Sequence, residues 1–325
     1  MKTLLLAGVI AVMSSHALAQ TPPSTPPPPA QPAPTAEGDS RLATRTGHEL
    51  NVSVGHYTYT EPGDQSISIH GVKFGGEYTG TLSLNRRKGW FLQADVRGSG
   101  GAATYDGWCA PFLITPDSTS PNGYALDLGD YSPCSESGDS DWYLEGRGLV
   151  GRDFMTGSWG MSPDIGLGVR HLSNGTTGVS GFRTDDYLYL PLGFTARTRV
   201  ASHGTLSVRL EYDVLLHGWQ NTYQSKLGGG DVPATPTAPA FTIDGFTDLS
   251  FNQDKGWGLR ASAKYQMARR WSVEPGYIHW NVSASNVDYT TATFTVNGIT
   301  ARQQLGAYEP DNATNEYFVN LGFHF

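Results

Sequence analysis

The chain has 325 residues, a formal net charge of −8 and a mean hydropathy of −0.34, with 16% charged and 11% aromatic side chains. That balance excludes a chain greasy throughout, such as a helical membrane protein, and leaves no basic footprint for nucleic acid. It suits an architecture in which only alternate residues meet an apolar solvent.

Residues 1–19 read as a secretory signal, with Lys2 at the positive start, an apolar centre from Leu4 to Met13 and a small-residue cleavage site at Ala17-Leu18-Ala19. The apolar run is too short to span a bilayer as a helix. Residues 20–47 read as a periplasmic spacer, because residues 21–35 hold eight prolines among Thr, Ser and Ala and cannot bury a core. The remainder, 48–325, reads as one domain.

From residue 48 onward the hydropathy alternates with period two. In Thr205 to Asp213, Leu206, Val208, Leu210 and Tyr212 share one face, while Ser207, Arg209, Glu211 and Asp213 share the other. The same pattern sets Val72, Phe74, Tyr78 and Leu82 against Lys73, Glu77, Thr79 and Thr81. Ten strands are predicted, over about 48–60, 67–84, 90–104, 141–154, 159–171, 186–199, 205–217, 256–267, 271–283 and 314–325. Pro275 and Gly276 predict a bulge or tight bend in the ninth. Links after even strands are short. Links after odd strands are long (105–140, 172–185, 218–255, 284–313), except the first. Short turns at one end and long loops at the other form the outer-membrane barrel pattern, and an even strand number returns both termini to the periplasm.

The last strand carries Tyr317, Val319, Leu321, Phe323 and Phe325 at every second position. This resembles the terminal signal recognised by barrel-assembly machinery, which makes that machinery an expected partner. Outer-membrane lipid and lipopolysaccharide are the others. Trp90, Trp159, Trp257 and Trp271 fall at strand starts, where a ring rests at lipid headgroups. The inward parity collects mixed charges: Lys73, Glu77, Asp95, Arg97, Glu145, Arg147, Arg197, Arg209, Glu211, Asp213, Arg260, Lys264 and Glu274. In a narrow barrel these must pair or stay hydrated, which predicts a salt-bridged filling rather than a wide channel.

Cys109 and Cys134 predict a disulfide in an oxidising compartment, with a chain-entropy gain of roughly 3–4 kcal/mol. No His, Asp or Glu constellation has metal spacing and no Gly-rich loop opens a helix, so neither metal nor cofactor is expected. The long loops are rich in Thr, Ser, Gly, Asn and Tyr, a mixture suited to binding surfaces.

Two family resemblances follow from these residues. The ten-strand plan, the rhythm of links and Gly218-Trp219 at the top of the seventh strand resemble the omptin proteases, as architecture rather than sequence. That family's site uses two aspartates facing an Asp–His pair. Here Tyr105-Asp106-Gly107-Trp108 offers one aspartate, Gln220-Asn221-Thr222-Tyr223 has no Asp–His pair, and His217 precedes the Gly-Trp. The resemblance implies the fold without the protease residues. Locally, Arg170-His171-Leu172-Ser173-Asn174-Gly175 resembles the His-x-Ser-Asn motif of outer-membrane lipid A deacylases. It implies Ser173 as nucleophile, His171 as base and Asp185 or Asp186 as the orienting carboxylate. His171 and Ser173 share parity with Ile165, Leu167 and Val169, the lipid face. His279 lies near the same face on the ninth strand. The family uses Glu as its acid and an eight-strand barrel with the motif near the C-terminus, and this chain departs on both counts. The competing reading is that Ser173-Asn174-Gly175 is a turn opening a loop.

The expectation is an all-β, antiparallel up-and-down transmembrane barrel of about ten strands, in a bacterial outer membrane with long loops outside. It acts without catalysis in adhesion, interaction or envelope structure. A lipid A deacylase-like serine esterase is the alternative, and an omptin-like protease or narrow pore is another.

Overall fold

A computed structural model describes residues 42–63, 66–85, 89–175, 182–200, 204–267 and 270–325. The expected signal and the spacer up to residue 41 lie outside them. Ten long strands make a wall: β1 (Gly47–Glu61), β2 (Ile67–Asn85), β3 (Trp90–Cys109), β4 (Ser132–Arg152), β5 (Trp159–Gly175), β6 (Phe182–Val200), β7 (Gly204–Tyr223), β8 (Gly256–Met267), β9 (Trp271–Val282) and β10 (Asn312–His324). Each pairs antiparallel with its sequence neighbours, and β10 pairs with β1 from Glu49↔His324 to Thr60↔Ala313, which closes the cylinder. Closure leaves no open edge, the condition for crossing a bilayer with strands.

The outer face is apolar where the alternation predicts it. Val52, Phe74, Leu167, Val169 and Leu210 are all about half exposed or more. Trp90, Trp159 and Trp271 lie outside at the turn end, and Trp142, Trp219 and Trp257 at the loop end, as two aromatic girdles. Inside, the charges form connected sets. Glu211, with its side chain fully buried, takes ion pairs from Arg147, Arg209 and Arg260. Arg147 also holds Asp95 at 2.9 Å, Arg209 holds Asp164 through both guanidinium ends at 2.8 Å, and Arg260 holds Asp213 at 2.8 Å and Glu145 at 2.7 Å. Nearer the loop end, Tyr143, Tyr187, Tyr189, Trp280, Ile278 and Phe318 pack with Leu172, Leu215 and Val282 into one buried cluster across the lumen. Rings from opposite walls meet at that level.

Two local features differ from expectation. Pro275 produces no bulge: the β8–β9 ladder lapses at that level, but the pairs on either side, Ser262↔Gly276 and Tyr265↔Val273, keep one register. Proline removes one ladder donor without demanding an extra residue. Register shifts fall elsewhere: in the β2–β3 pairing between Ser83 and Asn85, in the β3–β4 pairing between Ala103 and Thr104, and in β7, where the register against β6 shifts between Leu215 and His217. The β7 shift reverses the facing of the residues beyond it, so Trp219 turns outward and Gln220 and Thr222 turn inward.

The long links fold on one another. Strands Gly230–Val232, Phe241–Phe246, Asp288–Val296 and Ile299–Ala307 make a four-stranded sheet drawn from the β7–β8 and β9–β10 links. The hairpin Phe112–Pro116 with Tyr124–Leu128, from the β3–β4 link, packs against it. Ile114, Leu126, Phe241, Ile243, Phe294 and Val296 share a buried core there, and Gln303 mimics a strand neighbour by bonding both the Leu126 N–H (2.7 Å) and the Leu126 carbonyl (2.9 Å). Leu249–Gln253 pairs with β7 from Gly218 to Thr222, which ties this cap to the wall. The turn at Asn297 (φ 52°) and Gly298 (φ 77°) is left-handed at both positions, the two-residue hairpin geometry that Asn-Gly favours. Cys109 and Cys134 form a disulfide at the base of the hairpin.

Glu211→Gln leaves three guanidiniums short of one buried carboxylate. It is expected to lower the unfolding free energy of the detergent-solubilised barrel by about 3–5 kcal/mol, read from the urea midpoint. An unmoved midpoint contradicts the network's structural role. A Cys109→Ser/Cys134→Ser variant is expected to loosen the cap alone. Limited proteolysis should then cut between residues 110 and 131 while the barrel keeps its heat-sensitive gel mobility, and loss of that mobility contradicts the assignment.

Candidate functional site

Parity along β5 puts Ile165, Leu167, Val169, His171 and Ser173 outside and Arg170, Leu172 and Asn174 inside. The β5–β6 register then decides which aspartate meets the imidazole. His171 stands opposite Asp186, and Leu172 opposite Asp185. Directly paired residues share a face, so His171 Nδ1–H donates to Asp186 Oδ1 at 2.7 Å, while Asp185 is buried on the lumen side. Of the residues read from the motif, the structure brings together His171 and Asp186 with Ser173 on the same face, and it turns Asp185 away. His171 and Ser173 share no hydrogen bond among the described residues. The dyad is open, with His171 36% and Asp186 46% exposed, and the Trp142 ring lies 5.2 Å from the imidazole.

The same arrangement recurs around the loop-end boundary. His217 bonds Asp254 at 2.5 Å with Trp219 edge-on at 4.3 Å. His70 lies 3.7 Å from Asp106. His279 bonds Asn315 at 3.0 Å, beside Trp257 and Tyr277. An outward histidine held by an acidic or amide side chain is thus a repeated rim device. What distinguishes His171 is the residue two places on. Ser173 follows it, whereas Val72, Trp219 and Asn281 follow His70, His217 and His279. Asp106 and Trp219, read for the protease comparison, belong to this rim: Asp106 partners His70, and Trp219 faces outward beyond the bulge.

Beneath the cap, sequence reading missed a buried polar cluster. The Tyr59 hydroxyl lies 2.8 Å from Glu61 Oε1 and from Glu309 Oε1, and Arg183 Nη1 reaches Glu309 at 2.9 Å and Glu61 at 3.3 Å. Burial lifts the Glu309 carboxyl above the usual carboxylate range, against the pull of Arg183 and with the repulsion of Glu61. Four partners from β1, β6 and the β9–β10 link are thereby tied together, which clamps the cap to the barrel mouth. Among the described residues no cluster of three or more His, Cys, Asp or Glu is placed to hold a metal.

The cap's outward sheet face is polar. Tyr289, Thr291, Thr293 and Thr295 alternate along one strand, and Thr300, Arg302 and Gln304 stand opposite the three threonines on the next. Thr295 Oγ1 is 2.8 Å from Asp244 and 2.9 Å from Thr300, and Tyr289 is 60% exposed. A row of threonines beside an open ring presents hydrogen-bonding groups on this face.

No family model and no curated protein sequence matches the chain. Among solved structures it is similar to the outer membrane protease OmpT from Escherichia coli, at 9% identity and a TM-score of 0.46, over 86% of this chain and 97% of that one. It is also similar to the COG4313 outer membrane channel from Pseudomonas putida F1 (10% identity, TM-score 0.34, 91% and 100% covered). A third is the translocator domain of the autotransporter NalP from Neisseria meningitidis (12%, 0.33, 90% and 100%). These neighbours are outer-membrane β-barrels.

Proposed function

We propose that this chain is a non-catalytic surface protein of a bacterial outer membrane, with its termini in the periplasm and its cap outside, and that it acts through the outward face of the cap sheet. The cap carries the reading. Three links fold around one apolar core, so the loop end is a rigid platform rather than a set of loops around an active cleft. The aromatic cluster across the lumen supports a filled barrel over a pore. A Tyr289→Ala/Thr293→Lys variant is expected to reach the membrane at the wild-type level, with unchanged heat-sensitive mobility, and to lose most of the adherence that the wild type confers on cells over immobilised glycans and matrix proteins. Equal adherence by wild type, variant and a deletion strain rejects an adhesive role for this face.

One observation favours a second reading, an outer-leaflet lipid esterase: the 2.7 Å His171–Asp186 bond, with Ser173 on the same lipid-facing side. In that reading Asp186 orients the imidazole, whose Nε2 edge takes the Ser173 proton as the hydroxyl attacks an acyl ester; the ester C–O bond breaks, the imidazolium protonates the departing alcohol, and water then hydrolyses the acyl-serine to free the fatty acid. The dyad's exposure and its recurrence without serine elsewhere on the rim place it second. Ser173→Ala separates the two readings. An esterase predicts lipid A one acyl chain lighter by mass spectrometry in cells with the wild type, reverting in the variant. A surface protein predicts identical lipid A in both.

A further inference from the structure

The clamp beneath the cap brings two buried carboxyls onto one hydroxyl. Glu61 ends β1 and Glu309 lies in the β9–β10 link, with side chains only 7% and 4% exposed. The Tyr59 hydroxyl has a single proton, yet it lies 2.8 Å from Glu61 Oε1 and 2.8 Å from Glu309 Oε1. It donates to one of them. The second contact is a hydrogen bond only where that carboxyl carries a proton and donates it to the hydroxyl oxygen. Without that proton, one close contact sets lone pair against lone pair in a site shielded from water. Arg183 of β6 is the one guanidinium bonded to the pair. The other groups facing it are Asp185 and Tyr187 of β6, Gln220 of β7 and, on the Glu61 side, Tyr105 of β3. None of these adds a positive charge. Burial, together with the Glu61 charge, holds the Glu309 carboxyl above its ordinary range despite Arg183, in keeping with the proton count.

Glu309 also stands at the neck of its link. Its backbone N–H donates to Ser285 Oγ at 2.8 Å, and its carbonyl accepts the Ser285 N–H at 2.9 Å, so the two ends of the link are pinned side by side. Between them the link carries the cap strands Asp288–Val296 and Ile299–Ala307. The Glu309 side chain fastens this neck to Tyr59 of β1 and Arg183 of β6. A separate set of bonds holds the neck to Leu249–Gln253, the segment paired with β7. The Asn252 N–H donates to Asn286 Oδ1 at 2.7 Å, and the Ser250 N–H to Asp288 Oδ2 at 2.8 Å. The neck therefore has two attachments, and only one of them contains the crowded carboxyls.

We propose that the clamp is a proton-operated latch: one proton shared by Glu61 and Glu309 holds the neck of the β9–β10 link on the barrel mouth, and loss of that proton frees the neck to swing on its bonds to Leu249–Gln253. The latch depends on the cap and the clamp alone, and on neither the adhesive nor the esterase reading. The direction follows from linkage. A carboxyl lifted in the folded state contributes its tie in full below its ordinary value and loses it as pH rises through the lifted one. Beyond that point two adjacent carboxylates, with Asp185 beside them, face a single guanidinium. The neck is docked in mildly acidic medium and released in alkaline medium.

The test uses the full mature chain in detergent, with nitroxides on Ser66→Cys at the start of β2 and Val287→Cys at the neck, both exposed positions. The native cysteines are joined to each other and take no label. Distances are read by pulsed electron paramagnetic resonance, on samples whose heat-sensitive gel mobility shows an intact barrel. Between about pH 5 and about pH 9 the population outside the docked distance is expected to rise at least about fivefold. Glu309→Gln cannot ionise and can still bond Tyr59 and Arg183, so it should hold the docked distance across the whole range. Glu61→Gln removes the other charge of the pair and should do the same. It serves as the second variant if the first does not fold. A distance distribution unchanged by pH in the otherwise native chain overturns the latch. So does a pH response in the glutamine variants equal to that of the native pair.

Discussion

A strand in hydrocarbon has nowhere to put its backbone N–H and C=O groups except on another strand. The β1–β10 pairing answers that constraint, since it converts a sheet with two raw edges into one with none. The rest follows from closure. Each strand then has one face toward lipid and one toward a narrow interior, so Val52, Leu167 and Val169 turn out while Arg97, Glu145 and Glu211 turn in. Ten strands make a narrow interior, and at its centre these charges bond to one another.

The interior changes character along its length. At the centre, each of Arg147, Arg209 and Arg260 serves two or more carboxylates, which fixes opposite walls of the barrel to each other. Toward the loops, Tyr and Trp rings replace ion pairs, and Glu61, Glu309 and Arg183 clamp the cap above them. Toward the turns, ion pairs such as Lys264 with Glu49 continue along the wall, but the space is not filled. One end therefore carries the folded cap and the other a cavity, with the ion pairs and the ring cluster between them.

The barrel was legible in the sequence because lipid imposes a rule with period two and no exceptions within the belt. Thr205 to Asp213 shows it residue by residue. The rule fails where lipid stops. The extra residue in β7 after Leu215 inverts the facing of His217 and Trp219, and alternation alone carries no mark of it. Choosing Asp186 over Asp185 needed the β5–β6 register, because two adjacent aspartates are equivalent until a pairing fixes the face. The cap was hidden because its strands pair across three separate links. Its one strong local signal, Asn297-Gly298 between alternating segments, lies within the long 284–313 link. The clamp of Tyr59, Glu61, Arg183 and Glu309 joins residues some 250 positions apart, which no spacing argument reaches.

The central claim is that lipid solvates every second side chain of a closed sheet. It is tested most directly by placing single nitroxide labels along β5 from Ile165 to Arg170 in reconstituted bilayers and measuring collision with oxygen and with a water-soluble nickel chelate. The account predicts strong oxygen contact at 165, 167 and 169 and protection from oxygen at 166, 168 and 170. Uniform contact with the nickel chelate at all six positions, or an oxygen profile without alternation, would contradict it.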